Sequence, residues 1–331
     1  YDVVGITGIP PTLLKVVEMC RVVRKYQPDA TIVVGGHVVS VPGIEDRVDA
    51  DWIVQGEGVR WFRSFLGEDP ERPILHPRIK TGVNVHTMGS TAGSHTFPPT
   101  ATVIPSVGCP LGCNFCSTSA LFGGKGNFVS FYETGDELFS VMHQLEESMN
   151  VQSFFVMDEN FLLHRRRALR LLELMEENDK AWSLQIFSSA NVVRSYSIDE
   201  LIRLGLSWLW MGLEGENSQY SKLDQVDTFE LVREMQSHGV RVLGSTIIGM
   251  EHHRPDTMDQ VIDHAVRHAT DFHQFMLYSP SPGTPLYYEL EAAGRIKTEE
   301  ECPWSEWHGQ RAFTYRHPNF KDGEEIEYLL G

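Results

Sequence analysis

Between residues 101 and about 280 the sequence alternates apolar, strand-length runs with helix-length stretches six times. The runs lie at 102–107, 153–157, 184–188, 209–213, 240–248 and 272–278. They are apolar almost throughout, with no regular polar face, so each must be covered on both sides. That requirement selects a parallel sheet whose return segments are helices. Two of the helices open with capping boxes, Thr134 with Glu137 and Ser197 with Glu200, in which side chain and backbone satisfy each other's donors. Asp227 or Thr228 caps another. Six units predict an α/β fold built on a partial (β/α)6 barrel, with ligands at the C-terminal strand ends.

Residues 1–66 show the same alternation on a smaller scale. Strands are expected at Val3-Val4-Gly5-Ile6, at Thr31-Ile32-Val33-Val34 before Gly35-Gly36, and at Trp52-Ile53-Val54 before Gly56-Glu57-Gly58. Helical spacing of Leu13, Val16, Val17, Cys20 and Val23 predicts a helix over 13–26, and a second is expected over 59–66. This amounts to about half of a doubly wound domain. The sequence opens at Tyr1, inside what reads as a strand, so a longer parent chain is expected. Residues 67–100 hold Pro70, Pro73, Pro77, Pro98 and Pro99 with Gly82, Gly89 and Gly93 and read as a linker. The domain expectation is therefore 1–66, a linker 67–100, a barrel 101–295 and an irregular segment 296–331. The polar aromatic stretch 304–315 fits no periodicity.

Of 331 residues, 41% are hydrophobic and 22% charged, which supports a sizeable core and excludes wholesale disorder. The formal charge of −17 makes nucleic-acid backbone an unlikely partner, because phosphate binding needs clustered cations. No run of 18 apolar residues predicts a membrane span, and no signal peptide is evident. Five cysteines, three of them within eight residues, do not form a disulfide framework. They point to a metal site in a reducing compartment, and a cytoplasmic location is expected.

The sharpest motif is Cys109-Pro-Leu-Gly-Cys113-Asn-Phe-Cys116, directly after the first barrel strand. Three thiolates hold three irons of a [4Fe–4S] cluster, and the absent fourth ligand leaves one iron open to a small molecule. Gly108, Pro110 and Gly112 let the chain wrap closely around a compact cluster. The competing reading is a zinc loop, which wants four closed ligands. Cys20 and Cys302 lie outside any motif that would complete one.

At these residues the chain resembles the radical S-adenosylmethionine (SAM) superfamily. Phe115 fits the family's aromatic residue against the adenine. Gly212-Leu-Glu-Gly-Glu-Asn217, Ile247-Ile-Gly-Met250 and Tyr278-Ser-Pro-Ser-Pro-Gly-Thr-Pro-Leu-Tyr287 resemble its fourth, fifth and sixth strand ends. The likeness covers about residues 100–295. It implies that SAM chelates the open iron and is cleaved by one electron to methionine and a 5′-deoxyadenosyl radical, which abstracts hydrogen from carbon. A one-electron donor such as flavodoxin or ferredoxin is implied as partner. Asp158 and Glu159 fall where the family contacts the methionine ammonium; a helix cap with solvated acids is the alternative. Ser188 and Ser189 fall where carboxylate or ribose is held, or make an ordinary turn. Glu214 falls where ribose hydroxyls are accepted, or is a buried structural carboxylate.

The first block resembles the cobalamin-binding domain that precedes many radical enzymes. Thr7, Gly35 and Gly36 match the elements that line the cobalamin nucleotide tail, which makes the fold class a radical-SAM barrel preceded by part of a Rossmann-like domain. The element that supplies a lower histidine ligand in some members would lie before Tyr1. His37 reads as a surface-loop residue.

Together these resemblances imply a cobalamin-dependent enzyme that methylates an unactivated carbon of a small-molecule or lipid-like substrate. Ring formation, oxidoreduction or methylthiotransfer without methylcobalamin is the alternative within the class, and an iron–sulfur or zinc regulatory protein is the alternative outside it. Other features read as structural: Arg165-Arg166-Arg167 as a solvated helix face, Trp208 and Trp210 as core, His252-His253 as a loop pair without metal spacing, and 315–320 as barrel cover rather than a lid.

Overall fold

The computed structural model describes residues 1–80, 99–214, 223 and 226–330. Gly82, Gly89, Gly93 and Pro98 of the expected linker, and Gly215, Glu216 and Asn217 of the fourth-strand motif, lie outside the described residues.

Strands β1 (Val3–Thr7), β2 (Thr31–Gly35) and β3 (Trp52–Ile53) form a parallel sheet in that order. Helix α1 (Leu13–Tyr26) returns the chain between the first two, burying Leu13, Val16 and Cys20 in one core with Ile6, Ile32 and Val34. A short turn of helix, α2 (Ile44–Arg47), precedes β3, and α3 (Gly58–Phe65) follows it. Gly36 is needed for its backbone. It sits at φ +80°, and a Cβ there would lie 2.4 Å from the Thr7 hydroxyl oxygen.

The larger sheet has β4 (Thr100–Val103) at one edge. The small strands β5 (Ser106–Val107) and β6 (Val129–Ser130) lie outside it, with α4 (Ser117–Leu121) between them. After α5 (Gly135–Met149) comes β7 (Ser153–Val156), then α6 (Arg165–Glu177) and β8 (Ser183–Ser189). Helices α7 (Ala190–Val193) and α8 (Ile198–Arg203) lead to β9 (Leu206–Gly212), and α9 (Thr228–Ser237) leads to β10 (Arg241–Ile248). Helix α10 (Met258–Arg267) leads to the far edge strand β11 (Phe272–Leu277), after which α11 (Pro285–Ala292) and α12 (Glu324–Leu330) belong to the tail. The order β4-β7-β8-β9-β10-β11 follows the chain, and every neighbouring pair is parallel. Both expected capping boxes are present, and Asp227 is the residue that caps α9. The core is continuous from Phe154, Leu184, Leu209 and Val242 on the strands to Leu138, Met142, Leu171 and Met175 on the helices.

Two expectations need correction, and a third is extended. The first barrel strand does not run through 102–107. Proline has no N–H to continue a ladder, and the chain leaves the sheet before Pro105, whose carbonyl instead accepts from Phe131 and Tyr132. Ser106 and Val107 then pair antiparallel with Ser130 and Val129. The run Arg165-Arg166-Arg167 is not wholly solvated, because Arg167 is 2% exposed and ion-paired with Asp158. Lastly, residues 315–320 cover the barrel as expected, and the tail around them does more. Trp304 and Trp307 enter the N-terminal core, while Phe313, Tyr315 and Phe320 enter a core with Ile247, Ile248 and Tyr278. Trp208 is buried as expected and stacks on Phe272. His37 is half-buried, and burial lowers its pKa.

His252-His253 resolves into a structural role. His253 Nδ1 accepts from the amides of Gly249 (3.1 Å) and Met250 (3.2 Å), which requires that nitrogen to be unprotonated. Burial, then the neighbouring His252 and His317, lowers this imidazole from 6.5 to about 4. Between these pH values the unfolded chain binds a proton that the folded chain refuses, so stability falls as pH drops from 6.5 toward 4. Thermal melts should show this loss. His253→Gln, whose amide oxygen can still accept from the two backbone amides, should lose less Tm over the same window than the wild type.

Candidate active site

The three-cysteine loop runs from the end of β5 into α4. Its path is fixed by local bonds. Cys116 caps α4, its sulfur accepting from the Ser119 amide at 3.4 Å. The Cys116 amide donates to Cys113 O at 3.0 Å, and Ser119 Oγ donates to Cys109 O at 2.7 Å. Gly112 has a left-handed φ of +64°, and a Cβ there would lie 2.5 Å from the Lys125 Cβ, so no other residue fits. The three cysteines are partly buried and free of disulfides. Burial, with the adjacent Cys116 and Cys113, pushes the Cys109 thiol up to about 11. A cationic cluster would reverse that preference, since metal ligation deprotonates thiols outright. The donor set and its wrapping therefore fit an iron–sulfur cluster. Among the described residues no three His, Cys, Asp or Glu side chains converge on a single-ion site. Cys20 and Cys302 are buried together in the N-terminal core, as members of neither set.

The loops at the C-terminal ends of β7, β8 and β9 bring the other expected residues toward this loop, but not all with a free side chain. Asp158 is 2% exposed. One carboxylate oxygen takes Arg167 and the Ser106 hydroxyl, and the other accepts from the Asn160 amide at 3.1 Å. A ligand-facing Asp158 is thus replaced by an internal one. Ser188 and Ser189 are each 5% exposed, and both are bound to Asn160: Ser188 Oγ donates to its Oδ1 at 2.8 Å, and its Nδ2 donates to Ser189 Oγ at 3.1 Å. Glu159 differs. It lies beside Cys109 and the Gly108 amide, and its Oε2 is buried without a hydrogen-bond partner. Burial pushes its carboxyl up to about 7. Ligand-supplied positive charge would restore the ionised form. Glu214 is 4% exposed and holds a left-handed φ of 54°, a strained conformation for a non-glycine residue.

Glu214, Phe115, Ile247 and Tyr278 line one pocket of about 260 Å³. Its remaining wall includes Ser245 and, from the tail, Trp307 and His308. Sequence reasoning missed these last two, because the stretch that holds them has no periodicity and no motif. Gly309 seats them by accepting from the Leu277 amide at 2.8 Å, along the free edge of β11.

On the smaller sheet, Thr7, Gly35 and Gly36 come together as expected. With Gly56, Trp61 and Phe62 they line a cleft of about 300 Å³. The cleft adjoins the cysteine loop's helix: a Cβ on Gly56 would lie 3.5 Å from Leu121 O in α4.

Comparison with known proteins bears on this geometry. Residues 103–265 match the family model of the radical SAM superfamily. The chain is 22% identical to the bacteriochlorophyllide d C-8(2)-methyltransferase of Chlorobaculum tepidum, over 91% of this chain and 70% of that protein. It is 21% identical to the anaerobic magnesium-protoporphyrin IX monomethyl ester cyclase of Rubrivivax gelatinosus, over 87% of this chain and 58% of that protein. Its fold is similar to the radical SAM methyltransferase TsrM of Kitasatospora setae, solved with cobalamin and a [4Fe-4S] cluster bound, at TM-score 0.69 and 15% identity over 90% of this chain and 68% of that one.

The cysteine assignment has a direct test. Anaerobic reconstitution should load about four irons per chain, as one cubane requires. Cys109→Ala, Cys113→Ala and Cys116→Ala together should abolish iron loading and the brown chromophore, whereas Cys20→Ala and Cys302→Ala should keep both. Iron that persists in the triple variant would refute the site.

Proposed function

Because residues 103–265 match the family model of the radical SAM superfamily, we propose that the chain is a cobalamin-dependent methyltransferase that alkylates an unactivated carbon. One observation carries the proposal. A three-thiol loop and a glycine-lined cleft on a Rossmann-like sheet adjoin each other in a single chain. When bound, the cluster and SAM supply a 5′-deoxyadenosyl radical, and methylcobalamin supplies the methyl group.

The chain's own residues do the rest. Cys109, Cys113 and Cys116 hold the cluster. Glu159 accepts from the SAM ammonium with its unpartnered oxygen. Phe115, Ile247 and Glu214 seat the adenosyl group in the 260 Å³ pocket, with Phe115 against the base and Glu214 at the ribose. Trp307 and His308 close that pocket on the tail side and limit the entry of water and other small molecules. Thr7, Gly35 and Gly36 take the nucleotide tail of the corrinoid. Asp158, Ser188 and Ser189 act behind this layer. The substrate is a small or lipid-like molecule admitted between pocket and cleft, and a flavodoxin or ferredoxin in the cytoplasm delivers the electron. Among the described residues, no helix is long and apolar enough to cross a membrane. The likeness to the cyclase favours a second reading, in which the substrate radical closes a ring and no methyl group is transferred.

Two experiments separate these readings. Turnover of the true substrate with methyl-deuterated SAM should give labelled product and near-equal amounts of S-adenosylhomocysteine and 5′-deoxyadenosine. Ring formation would give 5′-deoxyadenosine alone and unlabelled product. Corrinoid uptake, followed by visible absorbance, should be lost in Gly35→Phe. A Cβ at Gly35 meets only Val54 O, at 3.6 Å, so a side chain can start there without a backbone clash, and iron loading of the variant checks that it still folds. Wild-type protein that takes up no cobalamin would defeat the cobalamin reading.

A further inference from the structure

We infer that Asp158, Arg167 and Ser106 form a buried clamp that aims Glu159 at the cysteine loop, which makes Arg167 and Asp158 positioning residues. The inference rests on the reading that Glu159 receives the SAM ammonium.

The ion pair is unusual for this chain. The Arg167 and Asp158 side chains are each 1% exposed, and among the described residues no other ion pair buries both partners so fully. Stability alone does not call for it. Taking two charges out of water costs several kcal/mol, and well-packed apolar side chains of similar volume generally serve as well. What the pair supplies is connection. Arg167 on α6 donates to Asp158 at the end of β7 and to Tyr132 O at 3.1 Å. Ser106 also donates to Asp158, and it stands three residues before Cys109. The cysteine loop and the end of β7 are thereby tied to one point.

The chain around Glu159 is pinned on both sides. Before it, Asp158 is held by Arg167 and Ser106. After it, Asn160 is held by the Asp158 carboxylate through its amide and by Ser188 and Ser189 through its side chain. Five of the polar residues around this turn, namely Asp158, Asn160, Ser188, Ser189 and Ser106, are each at most 5% exposed and hydrogen-bonded to one another. Glu159 stands out from them, with Oε2 buried and unpartnered beside Gly108. Apart from Arg167 Nε, which is buried without a partner, the network is hydrogen-bonded throughout, and such a network restrains its members, so the open Glu159 oxygen is offered from a restrained base.

The test measures SAM affinity of the reconstituted holoenzyme by equilibrium dialysis, together with the change that SAM produces in the electron paramagnetic resonance spectrum of the reduced cluster. Glu159→Gln should weaken binding by at least about tenfold. Asp158→Leu combined with Arg167→Met removes both charges, which avoids an orphaned buried ion. This pair should still load the cluster, yet weaken SAM binding about tenfold, and adding Glu159→Gln should cause little further loss, because the effects run through one group. Ser106→Ala, which keeps the ion pair, should give a smaller loss that likewise vanishes in the Glu159→Gln background. This variant decides the matter if the double substitution does not fold. Unchanged SAM affinity in the clamp variants, or losses that add fully to that of Glu159→Gln, would overturn the clamp. Wild-type affinity in Glu159→Gln would overturn the reading of Glu159 itself, and the clamp with it.

Discussion

Parallel pairing is the constraint from which the rest follows. Each of the six strands runs in the same direction as its neighbours, so every return must cross a face of the sheet. All C-terminal strand ends then fall on one rim, where the connecting loops gather. The cysteine loop, the Asp158–Asn160 turn, Ser188–Ser189 and Glu214 share that rim for this reason alone. The smaller sheet obeys the same rule with three strands, and its glycines gather at its own C-terminal ends.

The rim is also an electrostatic problem. The chain carries a net charge of −17, and the rim adds three thiols and several carboxyl groups in partly dehydrated surroundings. The structure deals with these groups in two ways. Asp158 receives an internal cation, Arg167. The Cys109 thiol and the Glu159 carboxyl receive none, and both are pushed toward their neutral forms. On the proposed reading, the cluster and the SAM ammonium would supply the positive charge that these two groups lack.

Much of this was legible in the sequence, and the exceptions have physical causes. Strands show as apolar runs because burial on both faces admits little else. Helix starts show because Thr134, Ser197 and Asp227 must satisfy bare amides. The cysteine loop shows because three thiolates at that spacing serve few other ends. By contrast, Arg167 looks like its neighbours Arg165 and Arg166, and only the helix's rotation against β7 decides which of the three is buried. Asp158 and Glu159 are adjacent acids whose opposite fates depend on a partner nine residues away from Asp158. The break at Pro105 was readable from proline's missing donor, yet the apolar run around it concealed it. Trp307 and His308 carried no signal, since a segment that follows the edge of β11 needs no period of its own.

That segment has a mechanical consequence. Trp304 and Trp307 are seated in the core of the smaller sheet, with Tyr287 and Leu13, while His308 and the Trp307 ring form a wall of the pocket on the larger one. The Trp307 indole is further held by the Cys302 carbonyl at 3.2 Å. One short stretch is therefore both the rivet between two sheets and the door of a cavity. Any hinge motion that parts the sheets also breaches the pocket, and any molecule that enters through this wall must work against the packing that keeps the two halves of the protein together.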